Sequence, residues 1–517
     1  MEYDTHKQIL IQCDTQYPMR PPYHPDQLFP EYPWKSLPNT IEIKEKNDIY
    51  RSVREFFRIS KFDISHYGSK SWNPIGDLVK FGESVLIKPN WVSHLNLGSL
   101  FPENILDCLI THTSLIRAVI DFVYLAVGKN GRIILADAPI QSTDFSLLLQ
   151  RAHIPELLEF YQSVNINVEV IDFRQSALQY DSSKKKFSNV ELSGDPNGYV
   201  TVQVDNKSAF SGLENGTFQP YGNFDYDFSK TQKQHLDHIH RYNLSRTALE
   251  SALIINLPKL KTHSKAGMTG ALKNIVGIVG DKSYLPHFRL GGVSEGGDAY
   301  PVANKWLKIK AKYSYLIIKF PDSLRKLLRP LGKFLVNNQR IGKDTLSKDA
   351  QTDPYLTQSG GWYGNDTVWR MVIDLNIALH FSDLQGVLRD VPRREWLTII
   401  DAITIGEGEG PLRPTPKHLG YLIGGFSPEK IDLLCAYLMG FDWRKIPMLA
   451  KGAKFLDNFF PLIESRDHQG LQNSESVLRS LRSQKVVPPL SWRGHIELLQ
   501  EVDEYPCTDF IHFSSSL

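Results

Sequence analysis

The chain has 517 residues, 41% hydrophobic and 22% charged, with 59 basic against 57 acidic side chains and a net charge of +2. That length exceeds the ~250–300 residues at which a single core stops growing, so one large domain with insertions, or two domains, is expected. The near-balance of charge excludes a general polyanion binder or nucleic-acid reader and leaves any basic function local. Cys13, Cys108, Cys435 and Cys507 stand singly with no Cys-x-x-Cys pair, which argues against a cysteine-ligated zinc or iron–sulfur cluster and fits a reduced compartment. The first residues, Met1 to Gln8, lack a basic-then-apolar leader pattern, and no apolar run approaches the ~18–20 residues of a membrane span. A cytoplasmic protein is the expectation.

In chain order, residues 14–40 carry seven prolines among many aromatics, a composition that blocks helix and central strand and predicts an extended arm on the surface of the main body. Residues 49–61 have helical spacing, and the arm with this helix makes up residues 1–80. Val85–Ile87 reads as a buried strand that runs directly into Lys88-Pro89-Asn90-Trp91. Open α/β sheets place ligands just past the carboxyl ends of their strands, which makes Lys88 and Asn90 candidate binding residues. Thr113 or Ser114 caps a helix over 115–127, with His112 at its start. A second strand, 132–136, ends in Asp137, a helix follows over 155–163 and a third strand over 168–171. Strand alternating with helix at this spacing predicts an α/β fold, a mostly parallel sheet flanked by helices.

The rhythm breaks over 174–240, where Asn197-Gly198 and the alternating run 199–204 predict a polar, largely exposed β-rich insertion with a hairpin. It ends in His235, Asp237, His238, His240 and Tyr242. That density raises a metal site, but the spacing fits no particular zinc pattern, and surface histidines plus one site residue, His240, is the plainer reading. Next comes the stretch around which the chain is organised. Strand 253–258 empties into Lys259, Lys261, His263 and Lys265, whose alternation puts all four on one side of an extended loop. A helix expected from near Gly267 carries Thr269, Lys273 and Asn274. Its N-terminal N–H groups and these cations would form an anion site, with Lys261 a solvated clamp whose removal leaves stability intact. Lys282, His287 and Arg289 lie in a glycine-rich loop just beyond.

Residues 300–345 form a basic amphipathic insertion, readable as a wet helical lid or as a surface for anionic membranes. In 360–370, Asp366 or Thr367 caps the next helix, leaving Asn365 and Arg370 as binding candidates. Strand 396–400 ends in Asp401 and a loop with alternating glycines that holds Glu407 and Glu409, suited to a cation or hydroxyl groups. A helix over 428–439 carries Asp432, and residues 451–517 form a C-terminal extension without a readable motif.

Pro258-Lys-Leu-Lys-Thr-His263 and Ala271-Leu-Lys-Asn274, with Lys88-Pro-Asn90, His240-x-Tyr242 and the 360–370 segment, resemble the domain-of-unknown-function 362 family in its long form, without a ferredoxin module. The resemblance spans roughly residues 80–450, taken as 81–450 for the core, and implies a fold and site residues but no settled reaction. The leading expectation is an enzyme for a small phosphorylated or carboxylated metabolite. Lys88, Lys259, Lys261 and Lys265 would hold the anion, and His263, Lys261, Asp137 and Asp401 would move protons. Seven residues, Lys88, Asn90, His112, Asp137, Lys261, His263 and Asp401, should then meet at one sheet edge. A second reading is an enzyme with a divalent metal or metal-bearing cofactor held by His240, His263 and His287, its strand and Lys/His-loop arrangement similar in outline to nickel-pincer lactate racemases. A third is a scaffold making peripheral membrane contact through 305–343. Substrate and oligomeric state are left open.

Overall fold

The computed structural model describes residues 8–12, 17–34, 46–98, 106–181, 186–213, 220–223, 226–235, 238–301, 359–456, 485–498 and 511–515. The basic 305–343 segment, Asp237, Cys13 and Cys507 lie outside these residues. The strands are β1 (Gln8–Gln12), β2 (Ser84–Pro89), β3 (Arg132–Asp137), β4 (Val168–Asp172), β5 (Ser176–Asp181), β6 (Lys186–Glu191), β7 (Tyr199–Gln203), β8 (Tyr221–Gly222), β9 (Arg241–Ser245), β10 (Leu253–Leu257), β11 (Lys259–His263), β12 (Gly267–Thr269), β13 (Phe288–Arg289), β14 (Glu395–Glu409), β15 (Arg413–Gly425) and β16 (Ile511–Ser515). The helices used below are α1 (Asp48–Ile59), α2 (Thr113–Val127), α3 (Ile154–Ser163), α4 (Ala271–Asn274), α5 (Val368–Phe381) and α6 (Pro428–Leu438).

The main sheet runs β16-β1-β15-β14-β10-β2-β3-β4. From β14 to β4 all neighbours are parallel, whereas β15 returns antiparallel to β14 and β1 antiparallel to β15. This is the expected mostly parallel α/β sheet flanked by helices. Side chains alternate across it. Val85, Ile87, Ile133, Leu135, Leu253, Ile255, Leu397 and Ile399 share one core with α1 to α3, while Leu86, Ile134, Ile254, Trp396 and Ile400 share the other with α4 to α6. Covering helices on both faces explain why the central strands are apolar throughout rather than alternately polar.

Two expectations change. The proline-rich arm is not simply laid on the surface: Tyr23 is buried, and Phe29, Tyr32 and Trp34 are buried in the first core. There Trp34 donates its indole N–H to Asp121 at 3.0 Å and Arg117 donates to the Tyr32 hydroxyl at 2.9 Å. Proline bars the arm from regular structure but not from burial, because its aromatic rings carry their own apolar area. The 174–240 segment does contain the β5–β6 hairpin and β7, which pairs with β9 just beyond it. Yet Val200, Val202 and Phe210 are core residues, as are Tyr242 and Leu244 of β9, so one face of it is dry.

Cys108 and Cys435 are buried and form no disulfide among the described residues, and burial pushes the Cys108 thiol up to about 11. No helix among the described residues is long and apolar enough to cross a membrane.

Candidate functional site at the carboxyl edge of the sheet

Strands β2, β3 and β10 end side by side, while β14, expected to stop before Asp401, runs on to Glu409 with Asp401 inside it beside Lys259. Three networks result. In the first, Lys88 at the end of β2 pairs with Asp137 at the end of β3, Nζ to Oδ1 at 2.9 Å, with both side chains essentially buried. Asp137 also accepts the N–H groups of Trp91 at 2.6 Å and Ala138 at 2.8 Å, and Lys88 donates to the Pro89 carbonyl at 2.9 Å. Burial pulls the Lys88 ammonium down and Asp137 opposes it. Gly277 backs this pair: a Cβ there would overlap Asp137 Oδ1 and come within 2.5 Å of Lys88 Nζ. Gly277→Ala is therefore expected to destabilise the fold by ~1–3 kcal/mol, the usual cost of overpacking a tight core, as urea unfolding would read.

A relay of amides adjoins the pair. Lys261 donates to Asn90 Oδ1 at 2.6 Å and to the Leu109 carbonyl. Asn90 Nδ2 donates to Asn274 Oδ1 at 2.7 Å, and Asn274 Nδ2 to Asn256 Oδ1 at 2.7 Å. Lys261 is thus 1% exposed and hydrogen-bonded, not a solvated clamp. Burial, with Lys259 and Lys273 nearby, holds it well below its ordinary value. Its removal leaves two buried acceptors unpaired and so costs stability as well as charge.

The second network is built on Asp401. Lys259 Nζ lies 2.6 Å from Asp401 Oδ2, both fully buried, and donates to the Tyr17 hydroxyl at 2.6 Å. Tyr17 in turn donates to Asp401 Oδ1, and the His112 N–H reaches Asp401 Oδ2 at 2.9 Å. The His112 ring stacks on Tyr17 at 4.0 Å and its Nδ1 accepts the Ser114 N–H at 3.2 Å, capping α2. Lys259, Asp401 and His112 therefore spend their bonding capacity within the chain. Tyr17, from the arm, had no signal in any local pattern.

The third network gathers cations. Lys265, Lys273, Lys282, His263 and His287 act electrostatically on one another, and Lys273 bears on Lys261, His263, Lys282 and His287 alike. His263 Nδ1 accepts the Lys265 N–H at 3.0 Å, so in the neutral ring Nε2 carries the proton. His287 Nδ1 faces the Leu285 carbonyl at 2.9 Å and must donate to it, which leaves Nε2 bare. Burial and the neighbouring cations hold both imidazoles well below their ordinary value. Lys282 donates to the Val276 carbonyl at 2.8 Å, and burial lowers it to about 7. Lys273 differs from these. It is 9% exposed and, among the described residues, its ammonium has no hydrogen-bond or ion-pair partner. Burial first and Lys265 second lower it to about 8. Thr269 Oγ1, buried nearby on β12, is likewise without a partner among the described residues.

The helix expected from near Gly267 is instead strand β12, paired with β11, followed by the single turn α4. The N–H groups of Ala271 and Leu272 are taken by Asp432 at 2.6 and 3.1 Å. A carboxylate of the chain itself occupies the place assigned to a ligand anion. Asp432 was visible inside its predicted helix, but its target 160 residues away was not.

Other candidates are also drawn inward. Asn365 Oδ1 accepts the N–H groups of Thr367 and Val368 at 3.1 and 2.8 Å, capping α5, while Nδ2 holds the His287 and Gly360 carbonyls at 2.9 Å each. Arg370 pairs with Asp366 at 2.9 Å, and Arg289 reaches the same carboxylate at 3.3 Å. The Gly406–Gly410 stretch is part of a long β14–β15 hairpin rather than an open loop. On it, Glu407 accepts the Val487 N–H at 2.9 Å and Glu409 the Leu490 N–H at 2.7 Å, which ties down residues 485–498. Glu409→Gln keeps an acceptor, so its unfolding midpoint and phosphate binding are expected to match wild type, whereas Glu409→Ala should lower the midpoint only.

His235 Nδ1 lies 3.2 Å from His240 Nδ1 and His235 Nε2 donates to the Tyr284 carbonyl at 2.8 Å. Among the described residues, no three or more His, Cys, Asp or Glu side chains form a group arranged to hold a metal ion.

Fold and site together define an α/β protein with lysine and histidine side chains gathered past the carboxyl ends of a parallel sheet. Residues 207–437 match the model of the family described as Domain of unknown function (DUF362), and over that segment the chain is similar to that family, as its motifs imply. No curated protein and no solved structure matches. The matched segment carries Lys259 to Asn274, Lys282, His287, Asp401 and Asp432, while Lys88, Asn90 and Asp137 join the site from outside it through the sheet order.

Proposed function

We infer that the chain is an enzyme acting on a small phosphorylated or carboxylated metabolite bound over Lys273. The observation that carries this reading is Lys273, 9% exposed, whose ammonium has no partner among the described residues and which bears on Lys261, Lys282, His263 and His287. A buried charge left uncompensated is costly, and an incoming anion offsets that cost. Asp137 is the carboxylate that acts on Lys261 and Lys282, and it is already paired with Lys88. The two imidazoles, one with Nε2–H and one with bare Nε2, supply a proton donor and an acceptor beside the bound anion.

The test is isothermal titration with inorganic phosphate and with a small dicarboxylate, against chloride at equal ionic strength. Saturable binding of either anion beyond chloride supports the reading; heats no larger than chloride's overturn it. The pH dependence follows from the lowered lysines. Lys273 at about 8 and Lys282 at about 7 are charged below those values and neutral above them, and the anion favours the charged forms. Affinity is expected to fall as pH rises from 7 to 9. Near pH 8 binding should take up protons, seen as a dependence of the titration heat on buffer ionisation enthalpy.

A further inference from the structure

We propose that Lys273 is a covalent lysine, whose amine adds to the carbonyl carbon of a small 2-oxo acid or aldehyde-bearing anion held by the surrounding cations. The proposal rests on the anion-site reading above and deepens it. A lysine that only clamps an anion works as well when solvated or hydrogen-bonded, as Lys261 and Lys282 are bonded here. A nucleophilic lysine instead needs its nitrogen uncommitted and its neutral form within reach at neutral pH. Burial and a neighbouring ammonium supply the second condition. Lys273 meets both: it is 9% exposed, has no hydrogen bond among the described residues, and is lowered to about 8 by burial and by Lys265.

Its backbone is held firmly. Lys273 lies in α4, whose first two N–H groups are fixed by Asp432 and whose last residue, Asn274, is bonded to both Asn90 and Asn256. The nitrogen is thus carried on a braced turn, as a covalent site requires. Asp432 holds that turn through backbone N–H groups and is a positioning residue.

The step balances without an oxidant or reductant. The neutral Lys273 amine donates its lone pair to the carbonyl carbon, a C–N bond forms, and the carbonyl π pair moves to oxygen, which takes a proton. The nitrogen loses a proton in the same addition; handed on to the new hydroxyl of the carbinolamine, that proton lets it leave as water and gives a protonated imine, with a net uptake of the one proton taken by the oxygen. His263, with its proton on Nε2, and His287, with Nε2 bare, are the donor and acceptor of the cluster for these two transfers.

The test incubates the full chain with glyoxylate or pyruvate and sodium cyanoborohydride, which reduces an imine to a stable amine, and maps the adduct by peptide mass spectrometry. The expected result is an adduct concentrated on the peptide bearing Lys273, suppressed by excess inorganic phosphate and missing from Lys273→Arg. That variant keeps the cation but presents no amine nucleophile at neutral pH. A circular-dichroism spectrum and urea midpoint matching wild type report that it is folded. An adduct spread over surface lysines without preference for Lys273 overturns the proposal. Phosphate binding with no Lys273 adduct from either probe overturns it while leaving the anion-site reading intact. Failure of both phosphate binding and adduct formation overturns the two together.

Discussion

Replacing Lys273 with methionine is expected to weaken inorganic phosphate binding by about 10–150-fold while leaving the unliganded protein as stable as wild type or more so. The two effects have one cause. A charge-assisted contact to an anion is worth ~1.5–3 kcal/mol, at ~1.4 kcal/mol per tenfold. In the free protein Lys273 is 9% exposed and its ammonium has no partner among the described residues, so exchanging it for an apolar side chain of similar length removes a desolvation cost. Lys261→Met is the informative contrast, because it strands the Asn90 Oδ1 and Leu109 carbonyl acceptors and should lower the urea midpoint. If Lys273→Met melts below wild type and binds phosphate equally well, Lys273 is a structural residue and the site is misplaced.

Removing the charge of Asp401 is expected to cost ~3–5 kcal/mol of stability, the usual loss when one partner of a buried ion pair is taken away. Lys259 and Asp401 are both fully buried at 2.6 Å, and Asp401 also accepts from Tyr17 and from the His112 N–H. Asp401→Asn would leave the Lys259 ammonium buried against a neutral amide and release the arm residue that closes over it. Chemical denaturation reads the loss directly, and phosphate binding by the folded fraction should stay within about twofold of wild type. The double variant Lys259→Met, Asp401→Leu should recover part of the loss, since matched apolar replacements of buried pairs are often tolerated. An Asp401→Asn protein with wild-type stability would return Asp401 to the role of acid or base.

The fold was legible because its signals are local. The apolar runs ending at Ile87, Ala136 and Leu257, each with a charged residue within two positions, mark strands and their carboxyl ends within a few residues of where they lie. Alternation with helices then implies a parallel sheet. The same local signal drew attention to Lys88, Asp137, Lys259, Lys261 and Asp401, since a residue past a strand end is placed by the sheet whatever its task.

Task depends on partners, and partners here are remote in sequence. Asp401 meets a tyrosine 384 positions away, Asn90 meets an asparagine 184 positions away, and Asp432 reaches back 161 positions to the turn at Ala271. Sequence by itself determined the strand order's raw material: which segments are buried, which faces alternate, and which residues stand at strand ends. Only the tertiary structure decided which of those polar residues are spent on one another. A buried charge must find a counter-charge or hydrogen bonds, and no periodicity along the chain encodes which distant group supplies them. Lys259, Asp401, Asn365 and Arg370 are spent in that way, and Lys273 is a largely buried lysine that the fold leaves, among the described residues, with nothing to hold.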